Sequence, residues 1–116
     1  MKTKETIDQL AALAQETRLE TFRLLVRMGD AGLPAGKIAE ATGANVTTLS
    51  RHLATMENAG LLSSRRQARQ IFYYVNFESV RQLFSFLLED CCASDPRVVG
   101  SGYDSAVSCD MTKEKK

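Results

Sequence analysis

The sequence predicts a mainly α fold with a two-stranded β wing, which is the arrangement of a winged helix-turn-helix. Three observations carry this prediction: an amphipathic helix follows Asn45, Gly60 ends that helix, and a basic hairpin then leads to Val75. In folds of this kind one helix enters the DNA major groove while the hairpin contacts the phosphate backbone beside it. We therefore expect double-stranded DNA as a partner.

Length and composition indicate one domain with one core. The chain has 116 residues, of which 44% are hydrophobic, and a chain of this size buries a single modest core. No apolar run approaches the roughly 18 residues that span a bilayer, and the N-terminus lacks the apolar segment of a secretory signal. We expect a cytoplasmic protein with no membrane partner. Residues 1–92 would form the DNA-binding and dimerisation domain, and residues 93–116 a tail that contributes a thiol.

The formal net charge of +1 conceals an uneven distribution along the chain. Between residues 44 and 76, four arginines stand against a single acidic residue, Glu57. From Arg81 onward acidic residues slightly outnumber basic ones. A local basic segment of this kind is typical of a surface that meets DNA.

Apolar spacing predicts three helices before the amphipathic one. In the first, Thr6 would be the N-cap, with Gln9 completing a capping box. The second would end in a turn at Gly29 and Gly32, and the third, Pro34–Ala41, would stop at Gly43. The residues expected to face the core are Ile7, Leu10, Ala11 and Ala14, then Leu19, Phe22 and Val26, then Ile38 and Ala39.

The fourth helix carries the predicted recognition face. Asn45 is a good N-cap, and an apolar stripe formed by Val46, Leu49, Leu53 and Met56 would face the core. Short hydroxyls on the other side would allow close approach to base edges, and an arginine can bond guanine bidentately. The alternative is a solvated polar face, as on most surface helices. The polar residues are Thr47, Thr48, Arg51 and Thr55, with Ser50 and His52 on the flanks.

The hairpin that follows favours the DNA interpretation. Arg65, Arg66 and Arg69 surround a polar turn, and at the tip of a wing beside a recognition helix they would contact phosphates. Tyr73 and Tyr74 should point to opposite faces of the second strand. One would pack in the core, and the other would reach the backbone or DNA.

Taken together, these segments resemble a known family. The stretches ALAQETRLETFRLL, GKIAEATGANVTTLSRHLATMENAGLL and SSRRQARQIFYYVN are similar to the ArsR/SmtB family of metal- and metalloid-responsive repressors, over roughly residues 7–92. The resemblance implies a homodimeric winged helix whose first and last helices form the interface. It also implies that Thr47, Ser50 and Arg51 read DNA.

The last predicted helix indicates dimerisation independently. After Asn76 as a cap, its apolar stripe is too wide for a helix that packs on one side only. A symmetric partner subunit would cover the second side, and such a homodimer would bind a palindromic operator. The stripe consists of Phe77, Val80, Leu83, Phe84, Phe86, Leu87 and Leu88.

The three cysteines are candidate ligands of a thiophilic centre. Cys91 alone could be a small buried hydrophobe, but Cys92 and Cys109 do not share that explanation. An odd number cannot all pair within the chain, and a reducing cytoplasm disfavours disulfides. Three thiolates without a nearby histidine suit a soft centre better than zinc, and trivalent arsenic or antimony would fit three sulfurs.

The chain also departs from the resembled family. Residues 33–41 contain no cysteine, although many arsenic repressors carry a Cys-Val-Cys element there, and the Asp and His ligands of the zinc sensors are absent. The remaining pattern resembles the subgroup with a Cys-Cys pair after the last helix and a third cysteine in the tail. It implies a repressor released by As(III), or by Sb(III), at Cys91, Cys92 and Cys109.

Other classes of function remain open at this stage. The same fold could serve a thiol-based redox sensor or a sensor of cadmium, lead or zinc. A ligand-free module whose wing grips an acidic protein is a further alternative. An enzyme is disfavoured because the single histidine, His52, lies on the predicted DNA helix and no acid pair or phosphate loop is present.

Overall fold

A computed structural model describes residues 2–88 and residue 97. The chain divides after Val80 into two units, and the first of them contains every element outlined below except the end of the last helix. The predicted boundary between residues 92 and 93 lies outside the described residues, and so do Cys91, Cys92 and Cys109.

Five helices and three short strands form the described part of the chain, which confirms the winged helix-turn-helix class. The sheet has three antiparallel strands in the order β1-β3-β2, whereas the sequence predicted two strands. The unpredicted strand has only two residues, Leu33 opposite Tyr73 and Pro34 opposite Phe72, and is too short to show an alternating pattern. The elements are α1 (Thr3–Leu13), α2 (Glu16–Met28), a 3₁₀ turn (Gly29–Ala31), β1 (Leu33–Pro34), α3 (Ala35–Thr42), α4 (Val46–Asn58), β2 (Leu62–Gln67), β3 (Gln70–Val75) and α5 (Phe77–Phe86).

Helix α1 begins earlier than predicted and buries a different face. Its N-cap is Lys2, whose backbone N–H donates to the Glu5 carboxylate at 3.3 Å, so Thr6 is not the cap. The buried residues are Thr6, Gln9 and Ala12. The predicted core residues Ile7 and Leu10 are 58% and 42% exposed. The apolar stripe of α1 therefore lies on the side away from the core of its own unit.

Helix α2 also exposes two residues that were predicted to face the core. Thr21 and Leu25 are buried, while the predicted core residues Leu19 and Val26 are 44% and 40% exposed. Phe22 is partly buried against the core. The helix ends at Gly29, whose φ of 64° confirms the predicted glycine stop.

Helices α3 and α4 follow the prediction closely. Ile38 and Ala39 are buried, and Gly43 closes α3 in the left-handed conformation with φ 77°. Pro34 is the N-cap of α3 rather than its first residue. On α4 the buried stripe is Leu49, Leu53 and Met56, but Val46 is half exposed because it opens the first turn. The core cluster is Ala12, Leu25, Ile38, Ala39, Leu49, Leu53, Met56, Leu61, Leu62, Val75 and Val80.

Helix α5 begins at the predicted cap. The Asn76 side-chain oxygen accepts from the backbone N–H of Ser79 at 3.2 Å, and Val80 is buried. Phe77 and Phe84, from the predicted stripe, are 43% and 46% exposed. Within residues 2–88 and 97, no helix is both long enough and apolar enough to cross a membrane.

Candidate nucleic-acid interface

The N-terminal half of α4 presents a polar face. The Asn45 side-chain oxygen accepts from the backbone N–H groups of Thr47 at 2.8 Å and Thr48 at 3.3 Å, which fixes where the helix starts. Because Leu49 and Leu53 are fully buried, the opposite side of the helix must face outward. Four of the predicted DNA-binding residues are exposed there: Thr47, Thr48, Ser50 and Arg51.

His52, the fifth predicted residue on this helix, is half-buried and has a partner that the sequence did not reveal. Its Nδ1 lies 3.1 Å from a guanidinium nitrogen of Arg18 on α2. The Arg18 Nε donates in turn to the carbonyl of Ala12 at 2.6 Å. Burial lowers the pKa of His52 below its usual 6.5, and the nearby charges of Arg18 and Arg51 lower it further. The ring is therefore neutral at neutral pH.

The wing is a tight hairpin with two arginines at its outer end. Gln67 pairs with Gln70 across a two-residue turn, in which Ala68 adopts a positive φ of 58°. Arg69 occupies the turn and Arg66 pairs with Ile71 just behind it. Both arginines are exposed, as a phosphate-contacting role requires.

Arg65 is placed differently from the prediction. Its guanidinium carbon lies 5.4 Å from the ring centre of Phe72 and 5.3 Å from that of Tyr74, within the range of cation–π attraction. Its two terminal nitrogens donate to the carbonyls of Asp30 at 3.0 Å and Ala31 at 2.8 Å. The expectation of three arginines together at the tip is wrong for Arg65, which fastens the wing to the turn after α2.

Strand register shows which face of the wing lies toward α4. Ser64 and Arg66 are two positions apart in β2, so their side chains lie on the same face of the strand. On that face the Ser64 hydroxyl donates to the Glu57 carboxylate of α4 at 2.8 Å. Arg66 therefore lies on the α4 side of the wing, near its outer end. Tyr73, opposite Ser64, packs partly against the core, and burial together with the Glu57 charge raises its pKa.

The two tyrosines do point to opposite faces, as predicted. Tyr73 packs against the core, whereas Tyr74 lies beneath Arg65 on the other face of the wing. In the part of the chain that the structure describes, no group of His, Cys, Asp or Glu side chains could hold a metal ion. The predicted thiol ligands lie beyond that part.

Comparison with known proteins agrees with this geometry. A family described as a helix-turn-helix domain matches residues 13–65. A homodimeric winged helix-turn-helix DNA-binding domain from Mycobacterium bovis, a possible ArsR-family transcriptional regulator, is 28% identical with a TM-score of 0.62. The match covers 84% of this chain and 85% of that one. A possible transcriptional regulator for arsenical resistance is 26% identical, with a TM-score of 0.61 over 72% of this chain and 83% of that one.

Relatives of known class decide the family. The HTH-type transcriptional regulator YgaV of Escherichia coli is 32% identical over 72% of this chain and 82% of its own length. The chain belongs to the helix-turn-helix transcriptional regulators. Within that class, the Mycobacterium bovis domain that it resembles is of the ArsR type. This helix-turn-helix regulator is therefore a DNA-binding protein and not an enzyme.

This helix-turn-helix regulator is also similar to two other bacterial regulators. An HTH-type transcriptional regulator of Mycobacterium tuberculosis is 31% identical over 95% of this chain, which spans only 52% of that relative's length. The transcriptional activator HlyU of Vibrio cholerae is 28% identical over 74% of this chain and 77% of its own length. The relatives thus include an activator.

Proposed function

We propose that the chain is a homodimeric cytoplasmic repressor that binds a palindromic operator and releases it on binding arsenite or antimonite. The observation that carries the DNA-binding part is the exposed polar face of α4, with Arg66 on the neighbouring face of the wing. Arg51 would bond guanine in the major groove, while Thr47, Thr48 and Ser50 would contact nearby base edges or phosphates. Arg66 and Arg69 would contact the phosphate backbone.

The two-sided character of α1 supports a symmetric dimer. Its inner side buries Thr6 and Gln9, whereas its outer side exposes Ile7 and Leu10. Apolar residues on the outer side are stabilised when a second subunit covers them, and the exposed ring of Phe77 adds a further apolar contact surface. A two-fold dimer would place its α4 helices in successive major grooves, about 34–36 Å apart.

The sensing part of the proposal rests on the cysteines and on similarity to a possible regulator for arsenical resistance. Cys91, Cys92 and Cys109 would each replace a hydroxyl of arsenous acid, forming As–S bonds while the thiol protons leave in water. Ligation would favour a dimer arrangement that fits the operator less well. By linkage, the operator must then weaken arsenite binding by the same factor.

The direct test is a titration of the full chain bound to its operator. Fluorescence anisotropy of labelled operator DNA is followed as arsenite, antimonite, cadmium or zinc is added, and in a separate arm peroxide. We expect release by arsenite and antimonite at far lower concentrations than by zinc. The matched control is a variant with Cys91, Cys92 and Cys109 all changed to Ser, which should bind the operator normally and ignore arsenite.

The other results assign the function differently. Release by peroxide but not by arsenite would identify a redox sensor, and release by cadmium or zinc alone would identify a divalent-metal sensor. An operator complex that survives saturating arsenite would contradict the sensing proposal and leave DNA binding intact. Activation rather than repression in a reporter strain would contradict the assignment as a repressor.

A further inference from the structure

Arg18 is held between two neighbours in a way that fixes its direction. Its Nε donates to the Ala12 carbonyl at the C-terminal end of α1, at 2.6 Å, and its backbone N–H donates to the Gln15 side chain at 2.9 Å. The terminal nitrogen Nη1 then lies 3.1 Å from His52 Nδ1 on the recognition helix α4. One side chain on α2 thus joins the end of α1 to α4.

This contact fixes the proton on the His52 ring. A guanidinium has only donors, so Nδ1 must accept, and a neutral imidazole that accepts at Nδ1 carries its proton on Nε2. Among residues 2–88 and 97, the buried side-chain nitrogen and oxygen atoms without partners are Gln9 Oε1 and Thr21 Oγ1. His52 Nε2 is not one of these two atoms, and no hydrogen bond joins it to another residue in that range. Its N–H is therefore available to a partner outside the chain.

We propose that Arg18 is a positioning residue for DNA recognition: it orients His52 so that Nε2–H donates a hydrogen bond to operator DNA. This inference rests on the proposed DNA-binding function and deepens it. The acceptor is a phosphate oxygen or an acceptor atom on a base edge in the major groove. His52 follows Arg51 directly, so the donor lies on the flank of the exposed polar face.

The charges around the ring keep this donor neutral. Arg18 of α2 and Arg51 of α4 both oppose protonation of His52, which holds its pKa below the usual 6.5. Asp8 of α1 lines the same cleft as Arg18, but its carboxylate is paired with Lys4 at 3.1 Å. At neutral pH His52 therefore contributes a directional hydrogen bond and no positive charge.

Two substitutions at His52 separate its two nitrogens. His52→Asn places an acceptor near the position of Nδ1, so it preserves the Arg18 contact and removes the donor at Nε2. His52→Gln places an amide near Nε2 and loses the Arg18 contact. We expect H52N to melt within a few degrees of the wild type and to bind the operator about tenfold more weakly, the loss of one hydrogen bond.

The H52N variant also identifies which group on DNA accepts the hydrogen bond. Because His52 is neutral, H52N should leave the salt dependence of binding unchanged, unlike the loss of a phosphate-bound cation. If H52N loses the same affinity for operator DNA as for scrambled DNA, the hydrogen bond is to a phosphate. If H52N loses affinity for the operator alone, the hydrogen bond is to a base. Wild-type affinity of a folded H52N would overturn the proposal.

The role of Arg18 has its own spectroscopic readout. His52 is the only histidine of the chain, so a proton NMR titration of its ring reports one assignable pKa. Arg18→Met removes the donor and the charge, and we expect the pKa of His52 to rise toward 6.5 and operator affinity to fall. Arg23→Met, on the exposed side of the same helix, is the matched control and should change neither.

Failure of the DNA-binding function and failure of the Arg18 role would give different results. If wild-type protein fails to bind any operator, the DNA-binding function itself is wrong. If wild-type protein binds, H52N binds weakly and R18M leaves the His52 pKa unchanged, then His52 contacts DNA without help from Arg18, and the positioning role is overturned.

Discussion

At the scale of single residues, two glycines in similar sequence surroundings have opposite structural requirements. Gly32 has a positive φ of 64°, and a Cβ there would collide with the backbone carbonyl of Tyr73 on the wing. Gly36 lies inside α3, where an added Cβ would meet open space. The sequence places Gly32 in a turn and Gly36 within the third helix, but it does not reveal the close approach at Gly32, which depends on the pairing of β1 with β3.

The two positions give a matched pair of alanine substitutions. Gly32→Ala should lower the free energy of unfolding by about 3 kcal/mol or more, since it combines backbone strain with a steric collision. Gly36→Ala should raise it by roughly 0.5–1 kcal/mol, because alanine is the better helix former. Urea denaturation followed by circular dichroism measures both. A G32A variant as stable as the wild type would show that the β1–β3 contact is wrong.

The neighbouring arginines of β2 also differ in their expected roles, since Arg65 contacts the protein and Arg66 is exposed. Arg65→Lys keeps the charge but loses the stacking on Phe72 and Tyr74 and the paired bonds to the Asp30 and Ala31 carbonyls. We expect it to lower the free energy of unfolding by about 1–2 kcal/mol.

Arg66→Ala is the complementary change on the same strand. Arg66 is exposed, so the free energy of unfolding should stay within about 0.5 kcal/mol of the wild type. Its operator affinity should fall, and the slope of log affinity against log salt should shrink by about one per DNA-bound protomer. If R65K and R66A changed the free energy of unfolding and the operator affinity equally, the two arginines would not have different roles.

At the scale of elements, several capping residues were predictable, but the cap of α1 and its buried face were not. Asn45, Asn76 and Gly43 end or begin helices as expected, because each satisfies free backbone groups locally. The buried face of α1 was predicted wrongly, because spacing reveals which side is apolar and not what covers it. Thr6 and Gln9 lie inside instead, and the Gln9 amide donates to Ala59 and Ser79.

The outer face of α1 offers a direct test of the dimer. Changing Ile7 and Leu10 together to Glu should shift the chain from dimer to monomer, since charge would oppose burial of this stripe. Sedimentation equilibrium measures the mass, and circular dichroism checks the fold. Thr3→Glu, in the first turn of the same helix, is the control and should stay dimeric. A double variant that remains a dimer would place the interface elsewhere.

At the scale of the whole molecule, the exposed polar face of α4 was predictable, and the side chains that contact it from other elements were not. Thr47, Ser50 and Arg51 follow from local helix periodicity, and the structure exposes them. Arg18 was missed because 34 residues separate it from His52, and no local pattern reports such a contact. Arg65 was misplaced because its stacking depends on strand register.

Salt dependence tests the proposed complex as a unit. Arg66 and Arg69 would supply two phosphate-bound cations per protomer, or four per dimer. The slope of log affinity against log salt should then be about −3.6, and affinity should fall roughly 150-fold between 50 and 200 mM salt. A slope near zero would mean that these arginines do not meet DNA, whatever the net charge of +1 suggests.

The strand order β1-β3-β2 also governs how the protein can associate. The outer strands are β1, which has two residues and ends in a proline that lacks an N–H, and β2, which carries two arginines. Short length, proline and charge are features that discourage a further strand from adding to an edge. The sheet is thus protected from edge-to-edge growth, and the helices remain for the proposed dimer, whose two-fold symmetry would close the assembly instead of extending it into a fibre.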